Sequence, residues 1–229
     1  MAQTEWYSFH ANRLRITKLD VCGNPVYGTA STLVTKGIIK GSIGYEWEDG
    51  EEINQKEGGG GRGLVNKDDP YLKFVTAEIE FTKVMPDALS MTTGMPIVAD
   101  GAGNAVGFRL NNQPITANVA LELWSDVGGV ACGTGAKPYG YFLIPFLGSG
   151  KLGNIELQIS EATFTITAES KDGTQWGAGP YDVVLDDVDA LSPLLTPLTV
   201  NDHFHSQMTL VPPPAVTAGA VALTAPVGP

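Results

Sequence analysis

The chain has 229 residues and a mass of 24.2 kDa, a length that suits one large all-β domain of about 200–250 residues. Hydrophobic residues make up 43% of it and charged residues 17%, a composition that excludes the intrinsically disordered and membrane-spanning classes. The net charge of −11 argues against binding nucleic acid through its phosphates, because such binding needs basic surface.

The first predicted segment is an N-terminal arm over residues 1–12, which carries Trp6 and Tyr7. Aromatic side chains are typical contact anchors, so we expect these two to dock on their own domain or on a neighbouring copy. The arm lacks the apolar stretch of a secretory signal, and we therefore expect no Sec-dependent export.

Residues 13–211 are predicted to form one domain, because apolar and polar residues alternate there between Gly-rich turns. Many short strands of this kind predict an all-β sandwich or barrel of two packed sheets. The predicted strands are Arg13–Leu19, Gly37–Tyr45, Leu72–Val84, Val106–Leu110, Asn118–Trp124, Tyr139–Phe146, a hairpin over Ile155–Ala168, Tyr181–Leu185 and Phe204–Val211. Pro145 predicts a bulge or an edge position in its strand.

The strand Leu72–Val84 has the clearest alternation. Its apolar residues fall on one face, which we expect to enter the core. Its other face is polar and is predicted to be wet or interfacial; its residues are Thr76, Glu78 and Glu80.

Residues 46–69 are predicted to form a long, flexible, irregular loop, because the stretch is charged and contains four consecutive glycines. A loop of this length in a compact domain is usually functional or disordered. The charged residues proposed for contact are Glu48, Asp49, Glu51, Glu57, Arg62 and Lys67.

One short helix is predicted over Pro86–Gly94, flanking the sheets, with proline at its first turn and glycine at its end. The C-terminal stretch, residues 212–229, has no charged residue and is predicted to be an extended or disordered arm. Between these segments, Trp176 and Tyr181 lie in a loop rich in glycine and proline. They are predicted to be either exposed contact anchors or an aromatic plug at the end of the sandwich.

The candidate chemical sites are weak. The spacing of His203 and His205 predicts that both imidazoles lie on one strand face, but a closed metal site needs further ligands. Residues 101–107 lack the spacing and the strand–helix context of a dinucleotide loop. Cys22 and Cys132 leave open whether they are free or bridged. We therefore predict no catalytic residue, no cofactor and no metal, and interpret the protein as not being an enzyme.

Five stretches of the chain are similar to a known family in their amino-acid sequence and in their order along the chain. They are RLRITKLDVCGNPVYG (Arg13–Gly28), DALSMTTGMPIVADGAGNAVGFRL (Asp87–Leu110), ALELWSDV (Ala120–Val127), YGYFLIPFLGSGKLGNIEL (Tyr139–Leu157) and KDGTQWGAGPYDVVL (Lys171–Leu185). On these stretches the chain resembles the major tail tube proteins of long-tailed bacteriophages, especially those that infect actinobacteria.

The resemblance implies a β-sandwich with one flanking helix, six copies of which form a ring, and rings that stack into the hollow tail tube. It implies association with tape-measure, tail terminator and tail-tip proteins, and no cofactor. DNA would be only a transient, non-specific cargo of the lumen, and no membrane insertion is expected. The expected location is the virion tail, after synthesis in the host bacterial cytoplasm.

Two hypotheses assign roles in such a tube to particular residues of this chain. The acidic face with Thr76, Glu78 and Glu80 is expected to line the lumen, because negative charge repels phosphates. Residues 46–69 are expected to form the contact between rings. The alternatives are a β-sandwich binding module, such as an adhesin or a carbohydrate-binding domain, and a capsid decoration protein.

Overall fold

The computed structural model describes residues 7–128, 139–157, 162–173, 175–177, 179, 181, 184–185, 191–192 and 194–225. Fifteen strands and one helix lie in these parts of the chain. In chain order they are β1 (Tyr7–Leu19), β2 (Gly28–Thr35), β3 (Ile38–Glu48), β4 (Glu52–Lys56), β5 (Arg62–Lys67), β6 (Tyr71–Phe81), α1 (Pro86–Thr93), β7 (Ile97–Ala99), β8 (Ala105–Phe108), β9 (Asn118–Gly128), β10 (Tyr139–Leu157), β11 (Ala162–Ser170), β12 (Val184–Leu185), β13 (Leu191–Ser192), β14 (His205–Thr209) and β15 (Val221–Leu223).

The main sheet contains nine strands in the order β15-β2-β1-β9-β10-β11-β6-β3, with β14 also paired to β10. Three small hairpins complete the strand pairing, formed by β4 and β5, β7 and β8, and β12 and β13. The pairings among the described strands are antiparallel. The predicted all-β sandwich with one short helix is therefore confirmed, with the two layers joined in one hydrogen-bonded ladder.

The main core lies between the two halves of this sheet. One half contributes Leu14, Ile16 and Leu121, and the facing half contributes Ile79 and Phe164, all of them buried. Helix α1 closes the core with its own buried side chains, Ala88, Leu89 and Met91. Alternation along β6 places its apolar residues in this core, as predicted, since successive side chains of a strand point to opposite faces.

A second core covers the opposite face of β9 and β10. It includes Trp124, Tyr141 and Leu143 from these strands, and Trp176 and Tyr181 from the segment that follows β11. The two central strands are consequently buried on both faces. Glu122, the charged residue in the predicted strand Asn118–Trp124, is therefore buried.

A buried ion pair lies within the second core. Arg15 donates to both carboxylate oxygens of Glu122, from Nε at 2.5 Å and from Nη2 at 2.7 Å. The Tyr141 hydroxyl donates to Glu122 Oε1 at 2.7 Å, and Arg15 Nη2 also donates to the carbonyl of Tyr181 at 2.8 Å. Burial and the neighbouring carboxylate raise the pKa of the Tyr141 phenol well above its usual range, so it remains a neutral donor.

The predicted helix is confirmed, beginning at Pro86 and ending before Gly94, whose N–H donates to the carbonyl of Ser90 at 2.8 Å. Pro145 lies near an irregularity in the register of β10 against β9, as its missing N–H predicts. The predicted hairpin over Ile155–Ala168 corresponds to the end of β10 and to β11.

The predicted N-terminal arm requires correction, whereas the predicted C-terminal arm is extended as expected. Strand β1 already begins at Tyr7 opposite Gly128 of β9, so residues 7–12 belong to the sheet and not to an arm. Residues 1–6, with Trp6, lie outside the described residues. At the other terminus the chain is extended as predicted but lies on its own domain, where β15 pairs with β2 and the Thr217 N–H donates to the Val34 carbonyl at 3.0 Å.

Two turns share the pattern Asp-x-x-Gly-Asn, at Asp20–Asn24 and Asp100–Asn104. In each turn the aspartate accepts hydrogen bonds from the side chain and backbone N–H groups of the asparagine, at 2.9–3.0 Å. The asparagine side chain is the largest of the causes that hold the pKa of both aspartates below the usual range. Cys22, in the first of these turns, is an exposed free thiol, whereas Cys132 lies outside the described residues.

Removing the buried carboxylate should destabilise the fold more than removing one of its hydrogen bonds. Glu122→Gln leaves the Arg15 guanidinium without its counter-charge, and we expect the free energy of unfolding to fall by about 3–5 kcal/mol. Tyr141→Phe should cost about 1–3 kcal/mol, since one buried acceptor loses its donor. Urea denaturation followed by tryptophan fluorescence measures both. The control is Tyr45→Phe at an exposed tyrosine, and an equal loss in Tyr141→Phe and this control would contradict the prediction.

The two matching turns provide an internal control for an acid titration. A pKa lowered by folding contributes stability above the unfolded value of about 3.9, and that stability is lost as the pH falls through the folded pKa. Asn24→Ala should raise the pKa of Asp20 towards its usual range and leave that of Asp100 unchanged. Carboxyl carbon NMR shifts, followed through the titration, measure the two separately. No change at Asp20 would refute the role assigned to Asn24.

Candidate functional site

The polar face of β3, β6 and β11 brings the predicted residues Thr76, Glu78 and Glu80 onto one surface. Their side chains point away from the core residues of the same strand and are exposed or half-buried. Strand pairing builds three rows across this face. The rows are Lys40–Glu80–Thr165, Ser42–Glu78–Thr167 and Gly44–Thr76–Glu169.

The face continues onto β10, where Lys151 lies opposite Thr167 and Glu156 lies opposite Thr163. On this face of the four strands the charged residues are five glutamates and two lysines, a net charge of −3. They are Glu46, Glu78, Glu80, Glu156, Glu169, Lys40 and Lys151. Short hydroxyl side chains fill most of the space between these charges. The result is a wet, weakly acidic surface across four strands.

The predicted irregular loop over residues 46–69 is instead regular structure, and the prediction is corrected here. Strand β3 runs on to Glu48, and residues 52–67 form a hairpin in which Glu52 lies opposite Lys67. Its turn closes with the Glu57 N–H donating to the Gly61 carbonyl at 2.9 Å. Isoleucine, leucine and valine on its two strands favour the extended conformation, although charged residues and glycine are more numerous in the segment.

The charged residues proposed for this segment are spread along the hairpin and its base. At the base, Glu48 forms an ion pair with Lys73 at 3.3 Å, and hydrogen bonding from Tyr71 is the main cause that lowers the pKa of Glu48. Asp49 and Lys67 lie 3.9 Å apart with both side chains exposed, so this pair contributes little to stability. Glu51 is exposed nearby, Glu57 is exposed at the turn, and Arg62 begins β5.

The hairpin exposes apolar side chains along its length. Ile53, Leu64 and Val65 are exposed on its strands, and Tyr45, Trp47 and Tyr71 are exposed at its base. Trp47 alone is 63% exposed. An isolated two-stranded hairpin is at best marginally stable in water, so a hairpin exposed throughout favours a partner that covers it.

Two of the four aromatic residues proposed as an interface, Trp176 and Tyr181, are not exposed. Trp176 and Tyr181 are buried in the second core with their ring centroids 4.3 Å apart. They therefore form the aromatic plug, and the alternative of exposed contact anchors is wrong. Tyr7 belongs to β1, but its side chain and the whole of Trp6 lie outside the described part of the structure.

The histidine pair is used for structure. His203 is buried, with Nδ1 2.6 Å from Ser170 Oγ and Nε2 2.9 Å from Asp172 Oδ1. Because Ser170 Oγ also accepts the Val75 N–H at 2.7 Å, this chain of contacts joins β6, β11 and the segment before β14. His205 is hydrogen-bonded to Gln207 at 3.0 Å. Within the described residues, no three His, Cys, Asp or Glu side chains are grouped as metal ligands.

Strand β3 is the last strand of the main sheet and has β6 on one side. Its other edge pairs with no described strand, and most of its eleven residues are exposed. An exposed edge of this length presents N–H and C=O groups on which another chain can form a strand. The polar face, this edge and the hairpin are contiguous, since β3 belongs to the first two and leads into the third.

Comparison with known proteins does not assign these surfaces to a family. No protein-family model matches the chain, and no curated protein is significantly similar to it in sequence. Within the described residues, none of the helical structure has the length and apolar character needed to cross a lipid bilayer.

Proposed function

We propose that the protein is a structural subunit that assembles into rings, which stack as the hollow tail tube of a long-tailed bacteriophage. The observation that carries the proposal is the polar, weakly acidic face of β3, β6, β10 and β11 beside an open sheet edge. The five stretches that resemble tail tube proteins support the same function. In this proposal the polar face lines the lumen, and the genome passes along it without being bound.

The polar face suits a conduit because it lacks an excess of basic groups that would bind the phosphates of DNA. A surface that transports DNA quickly needs hydration and a net charge that does not hold phosphates. Glu78 and Glu80 supply that charge from the centre of the face, and threonine hydroxyls keep the rows between them wet. Over the whole chain, 25 acidic residues against 14 basic ones act in the same direction.

The open edge of β3 supports lateral assembly. Edge-to-edge contact between identical copies is heterologous when two different edges meet, and such contacts form closed rings when the rotation closes. The hairpin of β4 and β5 extends beyond this sheet and supports contact between successive rings. Its exposed apolar residues are the surface that this contact would bury.

The direct test is negative-stain electron microscopy of the purified protein at rising concentration. Rings or hollow tubes with six-fold end views are the expected result. Protein that stays monomeric at every concentration, even with tail-tip and tape-measure proteins added as a nucleus, would contradict the proposal.

A sugar-binding module is the second candidate, because the Trp47 side chain is 63% exposed at the base of the hairpin. Exposed aromatic rings of this kind stack on sugars. Glycan binding by the purified monomer, lost in Trp47→Ala, would favour this candidate over the tube.

Charge reversal on the polar face tests its role in the tube. Glu78→Lys with Glu80→Lys changes the charge by about four units per copy, and we expect the variant tubes to retain DNA that wild-type tubes release. Glu78→Gln with Glu80→Gln removes the charges without adding basic groups and should give an intermediate result. Co-sedimentation of fluorescent DNA with assembled tubes, across a range of salt, measures retention. Equal retention by all three proteins would place these residues away from the lumen.

A further inference from the structure

A cavity of about 310 Å³ lies where three segments that are distant in the sequence meet. Residues 33–37 at the end of β2, residues 83–87 at the start of α1, and residues 216–219 of the C-terminal stretch form its walls, together with Ala105 of β8. Small-molecule sites in proteins are concave, mostly apolar and few per chain. The cavity is therefore a candidate binding site that lies away from the polar face.

Apolar side chains form much of the cavity wall. Leu33 and Val34 are buried and Met85 is half-buried, while Val84 and Val216 remain exposed at its edge. A ligand with an apolar body gains free energy here, because it removes both its own surface and this wall from water.

The charged groups of the wall are two lysines and one carboxylate, namely Lys36, Lys83 and Asp87. Both lysines are exposed, and neither lies within ion-pairing distance of a carboxylate in the part of the chain that the structure describes. The stem of Lys83 lies over Gly37, where an added Cβ atom would be 3.6 Å from Lys83 Cδ. The wall thus has an excess of one positive charge beside its apolar surface.

Asp87 is already engaged by the C-terminal stretch. Its Oδ2 accepts the Ala220 N–H at 3.0 Å. A Cβ atom added at Gly219 would lie 2.7 Å from the same oxygen, and the φ of Gly219 is +152°, so the close approach of the backbone to this carboxylate requires glycine. Asp87 therefore fastens the stretch that forms one wall of the cavity.

The C-terminal stretch has few other attachments. Thr217 exchanges two hydrogen bonds with Val34, one to its carbonyl and one from its N–H, both at 3.0 Å, and β15 pairs with β2 across an irregular register. No residue over the described residues 212–225 is buried. Segments with so little buried surface open at a lower free energy than the domain unfolds. The stretch can therefore open while β2 stays in the sheet.

We propose that the cavity binds a small amphipathic anion, whose apolar body lies against the apolar wall and whose acidic group lies beside Lys36 and Lys83. The C-terminal stretch over residues 216–223 is the lid of this site, and Asp87 holds the lid closed. One copy of the chain supplies every wall of the cavity, so this binding does not depend on the proposed tube.

Octanoate is a suitable probe, since it joins an apolar chain to one carboxylate. Calorimetric titration of the full chain should show saturable binding of one octanoate per chain, weaker at high salt. Lys36→Gln with Lys83→Gln should weaken this binding by about tenfold. The matched control is Lys40→Gln with Lys151→Gln, two exposed lysines of the polar face, which should leave it unchanged. Absence of saturable binding, or equal affinity in the two double variants, would overturn the site.

Hydrogen exchange tests the lid separately. Asp87→Ala removes the acceptor of the Ala220 N–H, and exchange of the Ala220 and Val34 amides should become faster by about tenfold or more, while that of the β9 amides stays unchanged. Asp87→Asn removes the charge but keeps an acceptor oxygen, so its exchange should stay close to that of the wild type.

Gly219→Ala attacks the same contact from its other side and should also speed this exchange, with Gly101→Ala as the control at a glycine that has no atom within 4 Å of an added Cβ. Octanoate should dissociate faster from both lid variants, Asp87→Ala and Gly219→Ala. Wild-type exchange at Val34 and Ala220 in these two variants would remove the lid. Exchange that rises equally in β9 would do so too, because the whole domain would then be opening.

Discussion

The charge of Glu122 constrains the rest of the structure, because it lies in the interior of a sheet that is covered on both sides. A buried carboxylate is tolerated only with a close counter-charge and hydrogen-bond donors. Arg15 on β1 and Tyr141 on β10 supply them from the two neighbouring strands. A slip of one residue in either pairing would turn one of these groups to the other face, so the network selects the register of all three central strands.

The same network determines which surfaces stay open. Arg15 also holds the carbonyl of Tyr181, which fixes the covering segment over β9 and β10. The covering segment shields the central strands β9 and β10 from solvent. The solvent-exposed polar face therefore lies towards the other end of the sheet, on β3, β6 and β11. The ladder therefore has a doubly buried middle and a half with one polar face. The polar face, the open edge and the hairpin therefore all lie on the half of the sheet that has one exposed face.

Much of the fold is predictable from local pattern. Alternation located β6, a proline and a glycine located α1, and Pro145 predicted its irregularity. Glu122 could not be placed, because alternation reports that a strand has two kinds of face but not whether a distant segment covers the polar one. Strand β2 was missed since its threonines and serine are buried by neighbouring strands and not by their own hydrophobicity.

The residues of the candidate site were likewise only partly predictable from the sequence. Thr76, Glu78 and Glu80 were found because two-residue periodicity alone places them on one face. Trp176 and Tyr181 were left open between two roles, since burial of a loop aromatic depends on strands far away in the chain. A cavity lined by the β2–β3 turn, the segment before α1 and the C-terminal stretch could not be predicted either, because these segments meet only after folding.

The contact between the C-terminal stretch and β2 has a consequence for the timing of synthesis. Thr217 and Val34 are 183 residues apart in the chain, yet their backbones are hydrogen-bonded. A ribosome has therefore made nearly every other strand before the residues that cover the edge of β2 emerge. During that interval a nascent chain presents an uncovered strand edge to its neighbours on the same messenger. Slow elongation over the C-terminal stretch prolongs this exposure, while rapid synthesis of the stretch shortens it.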